Sequence, residues 1–355
     1  MRLLICAGGT GGGVYPALTV TERLNSDTEV LWVGSEGGME AELIARANLP
    51  YKGIRAAGVH GISAQQLPGN LVKLWQGYKQ AKRILSDYQP DVLMFTGGYV
   101  AIPMALAGLK IKTLLFVPDI EPGLALKTLA RFSDKIAVTV SDSKRYFSKK
   151  ERIEVTGYPL RKDLMRWIKA DALEYFGFDR EKPVILFTGG SSGARSINKA
   201  VIAILKELLQ RYQVIHLTGH LDWETVRTAT ANLPRSYQAF PYLHEMGAAY
   251  AAADLVVSRA GASVLGEYPF FGLPAILVPY PYAWRYQKVN ADYLVEREAA
   301  VLLEDQYLQS QLLAQIDTLI QDQPRLEHMR RAMQALSQPQ AAERIASLIY
   351  EMAEG

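Results

Sequence analysis

The sequence has one cysteine among its 355 residues and no run of 18 or more uninterrupted apolar residues. A single thiol excludes an internal disulfide and is typical of a reducing compartment. Without a long apolar run no transmembrane helix is expected, and no cleavable leader precedes the first predicted strand. We therefore expect a cytoplasmic protein.

Excess charge is also small. The formal net charge is +3, which gives no general case for nucleic-acid binding. A hydrophobic content of 49% with 21% charged residues is typical of a folded protein and not of a disordered one. Because 355 residues exceed the usual size of one domain, two domains are expected.

Two glycine-rich loops lie about half a chain apart, each between an apolar strand and a helix. The first has five glycines in the six positions 8–13, and its helix is expected to run from Ala17 to Leu24 after Pro16. The second spans Gly189 to Gly193. Glycines let a ligand approach the backbone closely, and a helix N-terminus favours anions. With strands and helices alternating around them, the loops predict an α/β protein with two similar parallel-sheet domains.

Common nucleotide-binding and metal-binding signatures are absent. Neither loop matches G-x-x-x-x-G-K-[ST], which makes a P-loop NTPase a poor fit. The first loop does not give a convincing G-x-G-x-x-G of dinucleotide-binding proteins either. No Asp-x-Asp pair follows a predicted strand, so no metal site is predicted.

A cluster near residue 260 suits a nucleotide. A predicted strand ends at Ser258, Gly261 and Ala262 form a turn, and Glu267 falls in the early turns of the next helix. The turn offers N–H groups to a phosphate, and the carboxylate suits a ribose diol. The alternative is that Glu267 only caps the helix.

A second feature suits a membrane surface. The apolar run Val100 to Leu109 is followed by Lys110 and Lys112, and the segment Asn70 to Ser86 repeats apolar residues at helical spacing with lysines elsewhere. Core packing with a solvated basic face is the simpler interpretation. The alternative is an apolar surface bordered by lysines, which would fit the interface of an anionic bilayer.

The motifs, in their order along the chain, resemble those of the MurG family, the UDP-N-acetylglucosamine transferases that add the second sugar to lipid I in peptidoglycan synthesis. The resemblance covers nearly the whole chain and implies a GT-B fold, with two Rossmann-like domains facing across a cleft. Residues 1–157, joined by a C-terminal helix at about 340–355, would form the acceptor-side domain, and residues 158–339 the UDP-sugar domain. The motifs are Gly8-Gly9-Thr10-Gly11-Gly12, Gly97-Gly98-Tyr99, Gly157-Tyr158-Pro159-Leu160-Arg161, residues 189–195, Arg259-Ala260-Gly261-Ala262 and Glu267.

The resemblance also implies a set of site residues. Glu267 would bind the ribose hydroxyls, and Gln287 matches one of two paired glutamines that hold the donor sugar, with Tyr286 in place of the other. The remaining donor residues would be Arg161 and Ser191 at the diphosphate, the backbone of Ala262, Ser263 and Val264, and Tyr242, Leu243 and Met246 on the uracil side. The acceptor or phosphate loops would be Thr10, Gly11, Gly12 and Gly13 with Gly97, Gly98 and Tyr99.

The chain departs from the family on the acceptor side. Gly13 stands where the glycine loop normally ends in His, so that histidine cannot take the acceptor's proton. Asp119 is the first candidate base and Glu121 the second, because both follow the predicted strand 113–117 and two close carboxylates can raise each other's pKa. His60 is the third candidate. The alternative is that each acid caps the next helix or lies in solvent.

The sequence thus predicts an inverting glycosyltransferase that needs no metal or other cofactor. It would move N-acetylglucosamine or a related hexose from UDP to a lipid-linked acceptor, with peripheral contact at an anionic membrane, on the inner face of the cell membrane. Three alternatives stay open. They are a paralogue for another lipid or metabolite, a non-catalytic nucleotide-sugar-binding protein, and a GT-B UDP-sugar epimerase.

Overall fold

The structure is a computed structural model that describes residues 1–8, 11–38, 40–56, 67–148, 152–190, 192–282 and 284–355. The chain divides into two compact units. The first comprises Met1–Pro159 with Pro339–Gly355, and the second comprises Leu160–Gln338.

The first unit is built on a seven-stranded, fully parallel sheet in the order β3-β2-β1-β4-β5-β6-β7. Helices cover a sheet of this kind on both faces, so its strands are apolar throughout; all four residues of β4 are buried. The strands are β1 Arg2–Cys6, β2 Glu29–Ser35, β3 Tyr51–Ile54, β4 Val92–Phe95, β5 Lys112–Val117, β6 Lys135–Val138 and β7 Ile153–Val155.

In the described residues of the first unit, six helices complete the fold, and the last of them comes from the C-terminus of the chain. This helix packs on the first one, where Arg23 Nε donates to Glu343 Oε1 over 2.5 Å. The hydroxyl of Tyr350 accepts from the Asn25 N–H over 2.6 Å. The helices are α1 Gly11–Thr21, α2 Glu40–Arg46, α3 Leu67–Tyr88, α4 Ala101–Ala107, α5 Leu124–Leu129 and, at the C-terminus, Ala341–Glu354, with a 3₁₀ turn at Ser141–Tyr146.

The second unit repeats the same topology. Its six strands are all parallel, in the order β10-β9-β8-β11-β12-β13. Numbered within the unit, the order is 3-2-1-4-5-6, which is that of a Rossmann sheet, and the first six strands of the first unit have it too. The strands are β8 Val184–Thr188, β9 Gln213–Leu217, β10 Tyr237–Phe240, β11 Leu255–Ser258, β12 Ala275–Leu277 and β13 Ala300–Leu302.

The helices of the second unit enclose this sheet. Core side chains from β8, β11 and the following helices pack together, with Phe187 fully buried. The helices are α6 Lys162–Met165, α7 Lys169–Phe176, α8 Arg195–Arg211, α9 Trp223–Ala229, α10 Met246–Ala252, α11 Glu267–Phe271, α12 Trp284–Val295, α13 Leu308–Gln321 and α14 Gln323–Ala335, with 3₁₀ turns at Ala262–Leu265 and Asp305–Tyr307. The C-terminal helix of the first unit is therefore α15.

Two helix starts differ from the predictions. The first helix begins at Gly11 and not at Ala17, so Pro16 lies inside it. The hydroxyl of Thr96 donates to the Gly13 carbonyl over 2.8 Å and anchors this early turn. The turn at Gly261 and Ala262 does not lead directly into the helix, because a 3₁₀ turn over Ala262–Leu265 and Gly266 come first. Glu267 is then the first residue of α11, which agrees with its predicted place in the early turns.

Candidate functional site

Both glycine-rich loops lie where the strand order of their sheet reverses. In the first unit this point is between β1 and β4, and in the second it is between β8 and β11. Open parallel sheets bind ligands at the carboxyl ends of the strands at this point. In each unit, therefore, the topology brings a glycine loop beside a second predicted motif.

In the second unit, that second motif contains Glu267. The hydroxyl of Tyr250 donates to Glu267 Oε2 over 2.7 Å. Burial raises the pKa of Glu267 above its ordinary value, while the bond from Tyr250, the nearby Arg161 guanidinium and a bond from Ser263 oppose that rise. Three predicted site residues, Arg161, Ser263 and Glu267, are therefore electrostatically coupled.

The turn that precedes Glu267 is a 3₁₀ helix over Ala262–Leu265. The N–H of Val264 donates to the Gly261 carbonyl over 3.1 Å, so it is engaged inside the turn. The N–H groups of Ala262 and Ser263 open the turn, where such groups have no partner from the turn itself. A Cβ built on Gly261 meets no atom within 4 Å, so the backbone is open to a ligand there.

Helix α12 supports this turn and carries Gln287. The side-chain oxygen of Gln287 accepts from the Tyr280 N–H over 2.9 Å. One turn further, the buried Asn290 donates to the Ala260 carbonyl over 3.1 Å. Asn290 thus fixes the loop between β11 and the 3₁₀ turn.

Tyr242 and Leu243 follow β10, and Met246 begins α10. Leu243 is buried, whereas the Tyr242 ring is exposed and lies parallel to His220 with centroids 6.3 Å apart. His244 meets Tyr242 edge-on at 4.9 Å. An aromatic surface therefore stands at the carboxyl ends of β9 and β10.

In the first unit the two predicted loops touch. Gly97 and Gly98 have φ of 124° and 87°, and a Cβ on Gly98 would lie 2.7 Å from the Gly8 carbonyl oxygen, so only glycine fits there. Gly11, Gly12 and Gly13 form the first turn of α1, and Tyr99 is exposed. A Cβ on Gly13 would lie 3.2 Å from Thr96 Oγ1, so this position is tight.

The two candidate bases follow β5 at the same edge of the sheet but differ in environment. Glu121 is 3% exposed, and its Oε1 accepts from Lys127 Nζ over 3.2 Å. Asp119 is half-buried. This contrast favours Asp119 as the group that can meet an acceptor.

The family models match both halves of the chain. The "Glycosyltransferase family 28 N-terminal domain" matches residues 3–138, and the "Glycosyltransferase family 28 C-terminal domain" matches residues 184–345. The chain belongs to glycosyltransferase family 28. This confirms the predicted family and the prediction of a glycosyltransferase.

Curated relatives of this family 28 member match it along nearly their full length. A protein of Desulforamulus reducens is 37% identical over 370 residues, with 99% of each chain covered. One of Roseiflexus sp. is 37% identical over 416 residues, with 98% of this chain and 94% of the relative covered. Both are named UDP-N-acetylglucosamine--N-acetylmuramyl-(pentapeptide) pyrophosphoryl-undecaprenol N-acetylglucosamine transferase.

Solved structures confirm the GT-B fold class. MurG of Acinetobacter baumannii superposes with a TM-score of 0.78 at 27% identity, covering 99% of both chains. A UDP-GlcNAc 2-epimerase of Neisseria meningitidis gives a TM-score of 0.71 at 14% identity, covering 99% of this chain and 100% of that one. At such low identity the epimerase shows a shared fold and nothing about activity.

Three predicted residues, Thr10, His60 and Ser191, lie outside the described residues. Two contributors to the site were not predicted. Tyr250 holds Glu267, and no sequence signal singles it out. Asn290 lies three residues after Gln287 and so falls near it on the same helix, which is a signal that could have been used.

Two features are absent from the part of the chain that the structure describes. Among them, no group of three or more His, Cys, Asp or Glu side chains is arranged to hold a metal ion. Likewise, none of the described helices is both long enough and apolar enough to cross a membrane.

Proposed function

We propose that this protein transfers N-acetylglucosamine from UDP-N-acetylglucosamine to N-acetylmuramyl-(pentapeptide) pyrophosphoryl-undecaprenol, with inversion at the anomeric carbon. The observation that carries the proposal is the group formed by Glu267, Arg161 and Ser263 at the topological switch point of the second unit. Full-length similarity to relatives that bear this activity in their names supports the choice of both substrates.

In the donor site, the Glu267 carboxylate accepts hydrogen bonds from the ribose hydroxyls. Tyr250 holds one of its oxygens and orients it. Tyr242, Leu243 and Met246 line the uracil side, and Gln287 reaches the sugar.

We infer that the leaving diphosphate is stabilised without a divalent ion. The groups available are the Arg161 guanidinium, Ser191, and the first N–H groups of the turn at Ala262 and Ser263. Cationic and backbone donors fixed around a developing negative charge lower the barrier to its departure.

On the acceptor side, Asp119 takes the proton of the attacking hydroxyl. Gly13 cannot do so because it has no side chain, and Glu121 is only 3% exposed. A general base needs to reach the hydroxyl, which the half-buried Asp119 can do at the edge where acceptor loops 11–13 and 97–99 also lie.

We propose a peripheral membrane contact through α3 and α4, which pack together. Core packing of the apolar residues in 70–86 would bury Leu71 and Trp75, but they are 53% and 56% exposed, and Leu109 after α4 is 60% exposed. Lys79 Nζ lies 3.6 Å from the centre of the Trp75 ring. Exposed apolar groups among lysines suit the interface of an anionic bilayer. These surface residues are Leu71, Val72, Trp75, Leu106 and Leu109, with Lys73, Lys79, Lys110 and Lys112.

One assay separates the candidate functions. The purified protein is incubated with radiolabelled UDP-N-acetylglucosamine in three arms: with the undecaprenyl acceptor, with glycerolipid or simpler polyprenyl acceptors, and with no acceptor. Label in the undecaprenyl product supports the proposal. Label only in another lipid would identify a paralogue, and conversion without acceptor would identify an epimerase. Binding of UDP without turnover in any arm would identify a non-catalytic protein.

A further inference from the structure

A chain of buried polar side chains lies behind the glycine loop of the second unit. It runs from Tyr237 on β10 through His216 on β9 to Asn198 in α8. His216 Nδ1 lies 2.9 Å from the Tyr237 hydroxyl, and His216 Nε2 lies 3.0 Å from Asn198 Oδ1. His216 is fully buried and Asn198 is 2% exposed. Polar groups buried to this degree are costly unless each finds its partner.

The hydrogen bonds of Asn198 determine the direction of the chain. Asn198 Nδ2 donates to the Thr218 carbonyl over 2.9 Å and to Asp222 Oδ2 over 3.0 Å, so Oδ1 is the atom that faces the imidazole. His216 Nε2 must then carry a proton and donate, and Nδ1 accepts from Tyr237. Burial lowers the pKa of His216 to about 3, so the ring is neutral at physiological pH and keeps this arrangement.

The chain ends at the backbone on which the glycine loop lies. Thr218 and Gly219 follow β9 directly. A Cβ on Gly193 would lie 2.1 Å from the Thr218 carbonyl oxygen, and one on Gly219 would lie 2.4 Å from the Gly193 Cα. Gly193 and Gly219 have φ of 78° and 75°. The loop thus rests on the same carbonyl that Asn198 holds, with no room for adjustment.

Asn198 also fixes the start of α8, the helix that the loop opens. Asp222, which accepts from Asn198 through Oδ2, also accepts from Arg195: Arg195 Nε donates to Asp222 Oδ1 over 3.0 Å. Arg195 is the first residue of α8. The C-terminal end of the glycine loop, at Gly193, and the start of α8, at Arg195, are therefore both connected to one buried amide.

We propose that Asn198 and His216 are positioning residues for donor binding. They touch no substrate. They hold the Thr218–Gly219 backbone and the start of α8, and so set where the loop between β8 and α8 presents its N–H groups to the diphosphate. The inference rests on the proposed donor site.

The test compares these residues with a matched control on the same strand. Gln213 is also buried, at 3% exposure, but lies at the opposite end of β9, where it bonds to Asp179 and Lys182. Asn198→Ala, His216→Gln and Gln213→Ala each remove buried hydrogen bonds, so each should lower the unfolding midpoint. The UDP dissociation constant is then measured by calorimetry at a temperature where each variant is folded by circular dichroism.

We expect Asn198→Ala to weaken UDP binding by about tenfold. Without the Asn198 bonds the loop no longer holds its N–H groups in the binding position, and restoring that position costs about as much as one unsatisfied buried group. His216→Gln should weaken it less, and the double variant no more than Asn198→Ala alone, because the two act through one contact. Gln213→Ala should leave UDP binding unchanged despite its lower midpoint.

Unchanged UDP affinity in both Asn198→Ala and His216→Gln would overturn the inference. An equal loss of UDP affinity in Gln213→Ala would also overturn it, because the loss would then follow from lower stability and not from the position of the loop. If Asn198→Ala does not fold, the comparison of UDP affinity between His216→Gln and the control Gln213→Ala tests the inference by itself. Failure of the unmodified protein to bind UDP would instead refute the proposed donor site.

Discussion

Tyr250 and Glu267 are joined by a hydrogen bond of 2.7 Å between a buried hydroxyl and a half-buried carboxylate. Burial, followed by the charge of Glu267, raises the pKa of Tyr250 well above its ordinary value, so the hydroxyl keeps its proton and donates. The bond fixes one carboxylate oxygen and directs the other. This pair is where the proposed nucleotide site can be tested most directly.

Replacing Glu267 with Ala should weaken UDP binding by roughly 1.5–3 kcal/mol, since a charge-assisted pair of hydrogen bonds to the ribose would be lost. Tyr250→Phe is the matched variant, because it keeps the Glu267 carboxylate but removes the hydrogen bond that orients it. It should weaken UDP binding less than Glu267→Ala does. Calorimetry with UDP measures both. Equal affinity in Glu267→Ala and the unmodified protein would rule out Glu267 as the ribose ligand.

The pH dependence follows from the raised pKa of Glu267. Its charged form is the one penalised in the folded protein, so the penalty is present above the folded pKa and disappears as pH falls below the unfolded pKa. Glu267→Gln should therefore unfold at a higher temperature than the unmodified protein at neutral pH, and the gain should vanish in acid. UDP affinity of the unmodified protein should fall as the carboxyl is protonated, while that of Glu267→Gln stays flat. Parallel profiles for the two proteins would contradict this.

The catalytic base is tested with isosteric neutral variants. Asp119→Asn should lower turnover by about 10²–10⁴-fold with UDP affinity kept, because the proton acceptor is lost but the donor site is intact. Glu121→Gln should lower turnover less, since the ion pair of Glu121 with Lys127 indicates a structural role. His60→Gln completes the set. Near-normal turnover in all three would mean that the acceptor's proton leaves by another route.

Turnover should survive removal of divalent ions. Arg161 and backbone N–H groups are expected to stabilise the leaving diphosphate, so treatment with EDTA should leave the rate unchanged, and Arg161→Ala should lower it. Arg161→Lys is the control that keeps the charge. Activity that is abolished by EDTA and restored by Mg²⁺ or Mn²⁺ would replace this mechanism with a metal-assisted one.

Membrane contact should depend on both the apolar and the basic groups of the surface formed by α3, α4 and the lysines that follow α4. Trp75→Ala and the pair Lys110→Glu with Lys112→Glu should each reduce co-sedimentation with anionic vesicles, and added salt should reduce it mainly through the lysines. Exposed lysines elsewhere offer a control, such as Lys206→Glu on α8. Absence of binding by the unmodified protein at low salt would refute the surface.

Sequence pattern predicted the two sheets because strand, glycine loop and helix are local features with strong composition signals. It could not tell which residues of α3 meet the core. Trp75 and Ala81 both belong to the apolar residues that recur at helical spacing in 70–86, yet Trp75 is exposed and Ala81 is buried. It also missed contacts between residues distant in the chain. Tyr250 and Glu267 are 17 residues apart, and Asn290 and Ala260 are 30 apart, so only the packed sheet brings them together.

In the proposed donor site, the bond from the Tyr280 N–H to Gln287 limits how Gln287 can meet the sugar. A free carboxamide can rotate and serve a ligand as donor or as acceptor. With its oxygen held by one backbone bond, the carboxamide is fixed in orientation, and its NH₂ group has a set direction in which to donate. In the proposed donor site, Gln287 would therefore meet a sugar oxygen chiefly as a hydrogen-bond donor. The polarity of this part of the site is thus set by the chain itself before any sugar arrives.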